Sequence, residues 1–130
     1  MQCVSWFVPI LPDKLDAWIA FTEESNARKD EHARSRRRAG ITREVAALVK
    51  TPQGNFTSVF LEAEDVSAAL KSFLRSDDPY DKWFLAMTAE VHGMTPEDFE
   101  APLPSTVYFD YRDESATMPA EARQDDRVSH

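Results

Sequence analysis

Apolar and β-branched residues crowd together from Cys3 to Ile10 and stop at Pro12, a composition that predicts a first strand. From Asp13 to Ala39 the spacing becomes helical. Leu15, Trp18, Ile19 and Thr22 recur on one side, the stripe thins to Ala27 and Ala33, and Gly40 follows as a natural terminator. Ile41–Lys50 and Phe56–Ala63 flank "TPQGN", which predicts a β-hairpin. Asp65 is placed to cap a short helix through Leu74. Asp78, followed by Pro79 and Asp81, is placed to cap another that Gly93 ends. Thr95-Pro96 starts one more helical turn, and Thr106–Tyr111 is expected to be a last strand.

The predicted order, β-α-β-β-α-(α)-β, is that of a ferredoxin-like α+β fold with a four-stranded antiparallel sheet and helices on one face. Residues 1–112 are expected to form this domain and 113–130 an acidic polar tail with little to bury.

Alternation along the strands adds a second expectation. One side of Phe56–Ala63 carries Thr57, Val59, Leu61 and Ala63; the other carries Phe56, Ser58, Phe60 and Glu62. A sheet with one wet face should have a polar side, yet here the less apolar side still holds Phe7, Phe56, Phe60 and Tyr108. Left open, that surface would associate, so a two-fold homodimer with sheets face to face is expected.

Composition narrows the partners. A net charge of −8 over 130 residues argues against nucleic acid and anionic membranes, and the tail from Asp113 sets five acids against two arginines. The lone Cys3 cannot form an intramolecular disulfide, and no apolar run is long enough to span a bilayer. The opening "MQCVSWFVPILP" has neither a basic n-region nor a small-residue cleavage site, so a cytoplasmic protein is expected.

Candidate chemistry is sparse. His32, His92 and His130 are scattered, three glycines cannot build a phosphate loop, and no G-x-S-x-G elbow occurs; neither metal nor cofactor is called for. Trp83 and His92 are nine residues apart and fall on opposite sides of one helix, while Tyr80, Trp83, Phe84, Met87 and Val91 share a stripe. Trp83 is therefore expected in the core, as are Trp6 and Trp18.

Glu62 is the acid that stands out, at the end of the hydrophobic strand "SVFLE". A carboxylate there needs a raised pKa or a fixed cationic partner, for which Arg43 and Glu44 on the neighbouring strand are the candidate neighbours, and it is the candidate catalytic base. His32 lies among Arg28, Lys29, Glu31 and Arg36. It would act on a ligand only by facing a pocket, and its surroundings point to a solvated helix face. The Arg34–Arg38 cluster could grip an anionic ligand or partner, but reads first as a wet helix end stabilised by the helix dipole and by Glu31 and Asp30.

The stretch "AGITREVAALVKTPQGNFTSVFLEAEDVSAALKSFLRSDDPYDKWF", and within it "GITRE", "VFLE" and "DDPYDKWF", resembles small uncharacterised bacterial proteins of the dimeric α+β barrel superfamily. That superfamily is related in fold to antibiotic-biosynthesis-type monooxygenases, and the likeness runs from Cys3 to Tyr111. It implies a ligand between sheet and helices, with Phe7, Ser58, Phe60 and Glu62 in or near the cavity; the residue reading above adds Glu44, Arg43 and His32 as further candidate ligand contacts. The Asn, Trp and His set of the monooxygenases has no counterpart here, since Trp83 is committed to packing and His92 points elsewhere. A homodimer binding a small, partly apolar molecule is thus expected, with a cofactor-independent monooxygenase-like or isomerase-like step as its catalytic form. The alternative is a non-catalytic interaction module whose barrel is filled by its own side chains; haem handling is a third, weaker expectation.

Overall fold

A computed structural model describes residues 1–117. Three strands, β1 (Gln2–Pro9), β2 (Ile41–Thr51) and β3 (Gly54–Ala63), form an antiparallel sheet in the order β1-β3-β2. Five helices accompany it: α1 (Leu15–Ala27), α2 (Lys29–Ala39), α3 (Val66–Leu74), α4 (Pro79–His92) and α5 (Pro96–Glu100). None of these helices is long and apolar enough to cross a membrane.

Local chemistry sets the boundaries. Asp65 accepts from the Ala68 N–H at the start of α3, and Asp78 accepts from Tyr80 and Asp81 at the start of α4, where Pro79 needs no partner. Thr95 and Asp98 form a reciprocal capping box on α5. Gly40 ends α2 at φ +86°, a conformation that a side chain would oppose, and its N–H returns to Arg36 and Arg37 carbonyls.

The single long helix expected over Asp13–Ala39 is two helices meeting at Arg28. The two halves serve different parts of the interior. Trp18 and Phe21 of α1 pack with Ile10 and Val91, whereas Ala39 of α2 packs with Val4, Ile41, Leu61, Ala63, Val66, Ala69 and Phe73. Arg28 secures the junction, with its guanidinium on Glu31 at 2.9 and 3.0 Å and stacked over Tyr80 and Trp83. Periodicity alone did not carry this break, because one apolar stripe fits a straight or a bent pair equally well.

On β1 and β3 the parity follows the alternation. Val4, Thr57, Leu61 and Ala63 are buried under the helices, while Phe7 and Ser5 are exposed on the outer face. On β2 the parity changes partway. Ile41 pairs with Ala63 and Arg43 with Glu62, so Thr42 is an extra residue in a bulge, held by its hydroxyl to the Glu62 carbonyl at 3.1 Å. Beyond it, Arg43 shares the outer face with Glu62, and Glu44 points inward opposite Leu61.

The expected fourth strand is not formed. No backbone hydrogen bond ties 106–112 to the sheet among the described residues, and Val107, Tyr108, Phe109 and Tyr111 are exposed. Alternating apolar residues favour an extended chain but do not supply a ladder partner. This segment, following Pro102 and Pro104, instead touches the outer face through side chains: Cys3 Sγ donates to Asp110 at 3.4 Å, and Arg112 meets the Glu62 carboxylate. Of the tail, Glu114–Thr117 forms one 3-10 turn, and the remainder lies outside the described residues.

Candidate functional site

The interior is not one continuous core. Two clusters of buried residues occupy opposite ends of the inner face, with Phe84 packing against both. Between sheet and helices lies a cavity of about 1360 Å³ that is broadly open to solvent. Its floor includes Val4, Trp6, Ala46 and Val59; Phe84, Leu85 and Thr88 of α4 and Phe99 to Ser105 border it from the helical side. Apolar walls with a few converging polar groups are the usual make-up of a small-molecule site.

The first polar centre is built by β2, α2 and α4. The bulge turns Glu44 inward. His32 and Arg36, four residues apart on α2, share one helix face and reach it together. Arg36 grips the carboxylate in a fork, Nε to Oε1 at 2.9 Å and Nη2 to Oε2 at 3.1 Å. His32 Nε2 lies 2.6 Å from Oε1, and its Nδ1 lies 2.6 Å from the Tyr80 hydroxyl at the capped start of α4. Arg36 is buried, its guanidinium stacked 4.4 Å from the Phe84 ring centre and 4.7 Å from that of Phe73.

These contacts settle charge states. Burial alone would push the Glu44 carboxyl up, but the hydrogen bonds from His32 and Arg36 and their charges outweigh it, and the carboxyl falls to about 2. Glu44 is ionised, so the imidazole donates from Nε2. Burial raises the Tyr80 phenol, so its hydroxyl keeps its proton beside His32 Nδ1. Both imidazole nitrogens are thereby occupied, and the centre behaves as a fixed polar wall.

A second polar centre lies farther along β3. Thr57 is four residues from Leu61, about 13 Å along an extended strand, and its buried hydroxyl lies 3.4 Å from His92 Nε2 at the last turn of α4. His92 Nδ1 is 3.1 Å from the Pro9 carbonyl, which only accepts, so Nδ1 carries the hydrogen. Burial lowers the His92 pKa further than the carbonyl restores it, and no charged side chain contributes. Thr57, His92, His32, Glu44 and Arg36 all line the cavity. So does Ser105, whose buried hydroxyl oxygen has no hydrogen-bond partner among the described residues.

The residues expected from the sequence divide between the two faces. His32 and Glu44 come together in the cavity, and His32 is not on a solvated face. Ser58, Phe60, Glu62 and Arg43 do not line the cavity; they share the outer parity, Glu62 opposite Arg43 in register but held by Arg112. Phe7 borders the cavity from β1 yet pairs with Ser58 and is 59% exposed. Trp83 is packed as expected, against Phe21 and Tyr80. Arg36, Tyr80, Thr57 and His92 were not expected at the site. Only the i, i+4 spacing of His32 and Arg36 signalled any of them. Among the described residues no group of His, Cys, Asp and Glu converges as a metal site.

Fold and site define an α+β chain with a mainly apolar cavity, open to solvent, between helices and sheet and polar groups at two ends. Comparison with protein-family models, with curated proteins and with solved structures finds no match to this chain.

Proposed function

We propose that the protein binds a small, partly apolar molecule between its sheet and helices and works as a homodimer, in the manner of a dimeric α+β barrel. The observation that carries the ligand reading is the cavity of about 1360 Å³ separating two halves of the core. A chain of this size stabilised only by packing has reason to close such a space, because apolar surface left in contact with water adds nothing to stability. The two polar centres, set about 13 Å apart along β3, suit an elongated ligand with an apolar middle. Arg36 supplies a cation in the wall and Ser105 an unused hydroxyl.

The dimer reading rests on the other face. Phe7 and Val45 are exposed there, and the 106–112 segment, anchored at Cys3 and Glu62, holds Tyr108 at 96% and Phe109 at 87% exposure. A second copy that covers both would remove this apolar surface from water. Glu62 then belongs to the association face, and any catalytic step falls to groups inside the cavity.

Native mass spectrometry of protein from its own host tests both parts. A species of two chains carrying one small molecule per chain is expected. Phe60→Asp should return it to single chains with the ligand retained. A single chain without ligand, under conditions that preserve weak complexes, overturns the proposal.

A further inference from the structure

We infer that His92 is the proton-accepting group of this cavity, taking a proton from an apolar ligand that carries a weakly acidic hydroxyl. The inference rests on the ligand-cavity reading and goes beyond it by assigning the group and the ligand chemistry. The geometry is that of a base with a fixed tautomer. The Pro9 carbonyl holds the hydrogen on Nδ1 at 3.1 Å and orients the ring, leaving the Nε2 lone pair toward the cavity wall. Among the described residues its one partner there is the Thr57 hydroxyl at 3.4 Å, long for an O–H donor, so little is lost when a ligand hydroxyl replaces it.

His32, by contrast, has both nitrogens held at 2.6 Å and no lone pair to offer. Burial keeps His92 neutral at ordinary pH and opposes its protonation, with no charged side chain of β1, β3 or α4 biasing it, so the imidazolium forms only when paired with the ligand oxyanion at Nε2. Its place in the last turn of α4 favours the imidazolium that results. The step balances simply. The ligand O–H bond breaks, its electron pair stays on the ligand oxygen, and the proton forms an N–H bond at Nε2. Thr57 is then free to donate to the oxyanion.

The test uses 4-nitrophenol, whose ionised form is yellow, and 4-nitroanisole, the same body without the acidic proton. Wild-type protein should bind both and raise the ionisation constant of bound nitrophenol about tenfold or more, one pK unit or more. His92→Phe should still bind both probes, with the yellow band back at its level in water. Thr57→Val should keep the band. If the band survives in His92→Phe, or never forms although both probes bind, the inference fails while the cavity stands. If neither probe binds, both fail. An independent check on unmutated protein is the ring ¹⁵N spectrum of His92 at neutral pH. Hydrogen on Nδ1 with a bare Nε2 is expected, and the opposite tautomer would overturn the assignment.

Discussion

Glu44 and Glu62 are diagonal neighbours on adjacent strands, and each meets an arginine, yet they have different physical fates. Glu44 points under the helices, where Arg36, stacked between Phe73 and Phe84, and His32 bind it with its side chain 22% exposed. Glu62 points to the outer face, where its own side chain is 16% exposed and its partner Arg112, next to the acidic tail, is 59% exposed. Both carboxylates are largely covered, and the pairs differ in their arginines: Arg36 is buried between rings, whereas Arg112 retains solvent. The two carboxylates differ in the face they occupy and in the arginine that meets them, and one bulged residue, Thr42, decides the face of Glu44.

The contrast can be broken most sharply at Arg36. Arg36→Met keeps the stem against Phe73 and Phe84 but leaves a mostly buried carboxylate with His32 alone. A loss of about 3 kcal/mol or more in denaturant unfolding is expected. A loss below about 1 kcal/mol, the range of exposed pairs, would mean that Glu44 is better hydrated than its surroundings imply.

Glu44 also sets an acid limit. Its folded pKa, about 2, lies below the ordinary value of 4.5, so its contribution is fully present above 4.5 and is lost as pH falls toward 2. Wild type should therefore lose up to about 3 kcal/mol across that window beyond what Glu44→Gln loses. Parallel stability curves for the two proteins would remove Glu44 from the account.

The smallest effect is expected on the outer face. Arg112→Ala should change stability by less than about 1 kcal/mol, and salt should mute it. A larger loss would show that the pair is covered by something beyond a single chain.

Much of this fold was legible from local chemistry. The caps Asp65 and Asp78, the turn around Pro52 and Gly54, and the αL glycine after α2 are decided by residues within a few positions of one another. The break at Arg28 and the missing fourth strand were not, because each depends on what the segment packs against. The site was half legible for the same reason. Strict alternation of two residues across Ile41–Glu44 places Arg43 with Ile41 and sends Glu44 outward. The bulge reverses that order, and nothing in "GITREV" announces it. Arg36, read as part of a wet helix end, is buried because aromatic rings from α3 and α4, distant in sequence, close over it. Thr57 and His92 are 35 residues apart and meet only when α4 lies across β3.

The most direct test of the central claim, that the inner face binds and the outer face associates, is a titration of 4-nitroanisole followed by backbone amide NMR. Saturable shifts are expected at Ala46, Val59, Thr57 and Thr88, with Ser5, Ala47 and Ser58 unmoved at constant protein concentration. Shifts confined to Ser5, Ala47 and Ser58, or none at all, would contradict it.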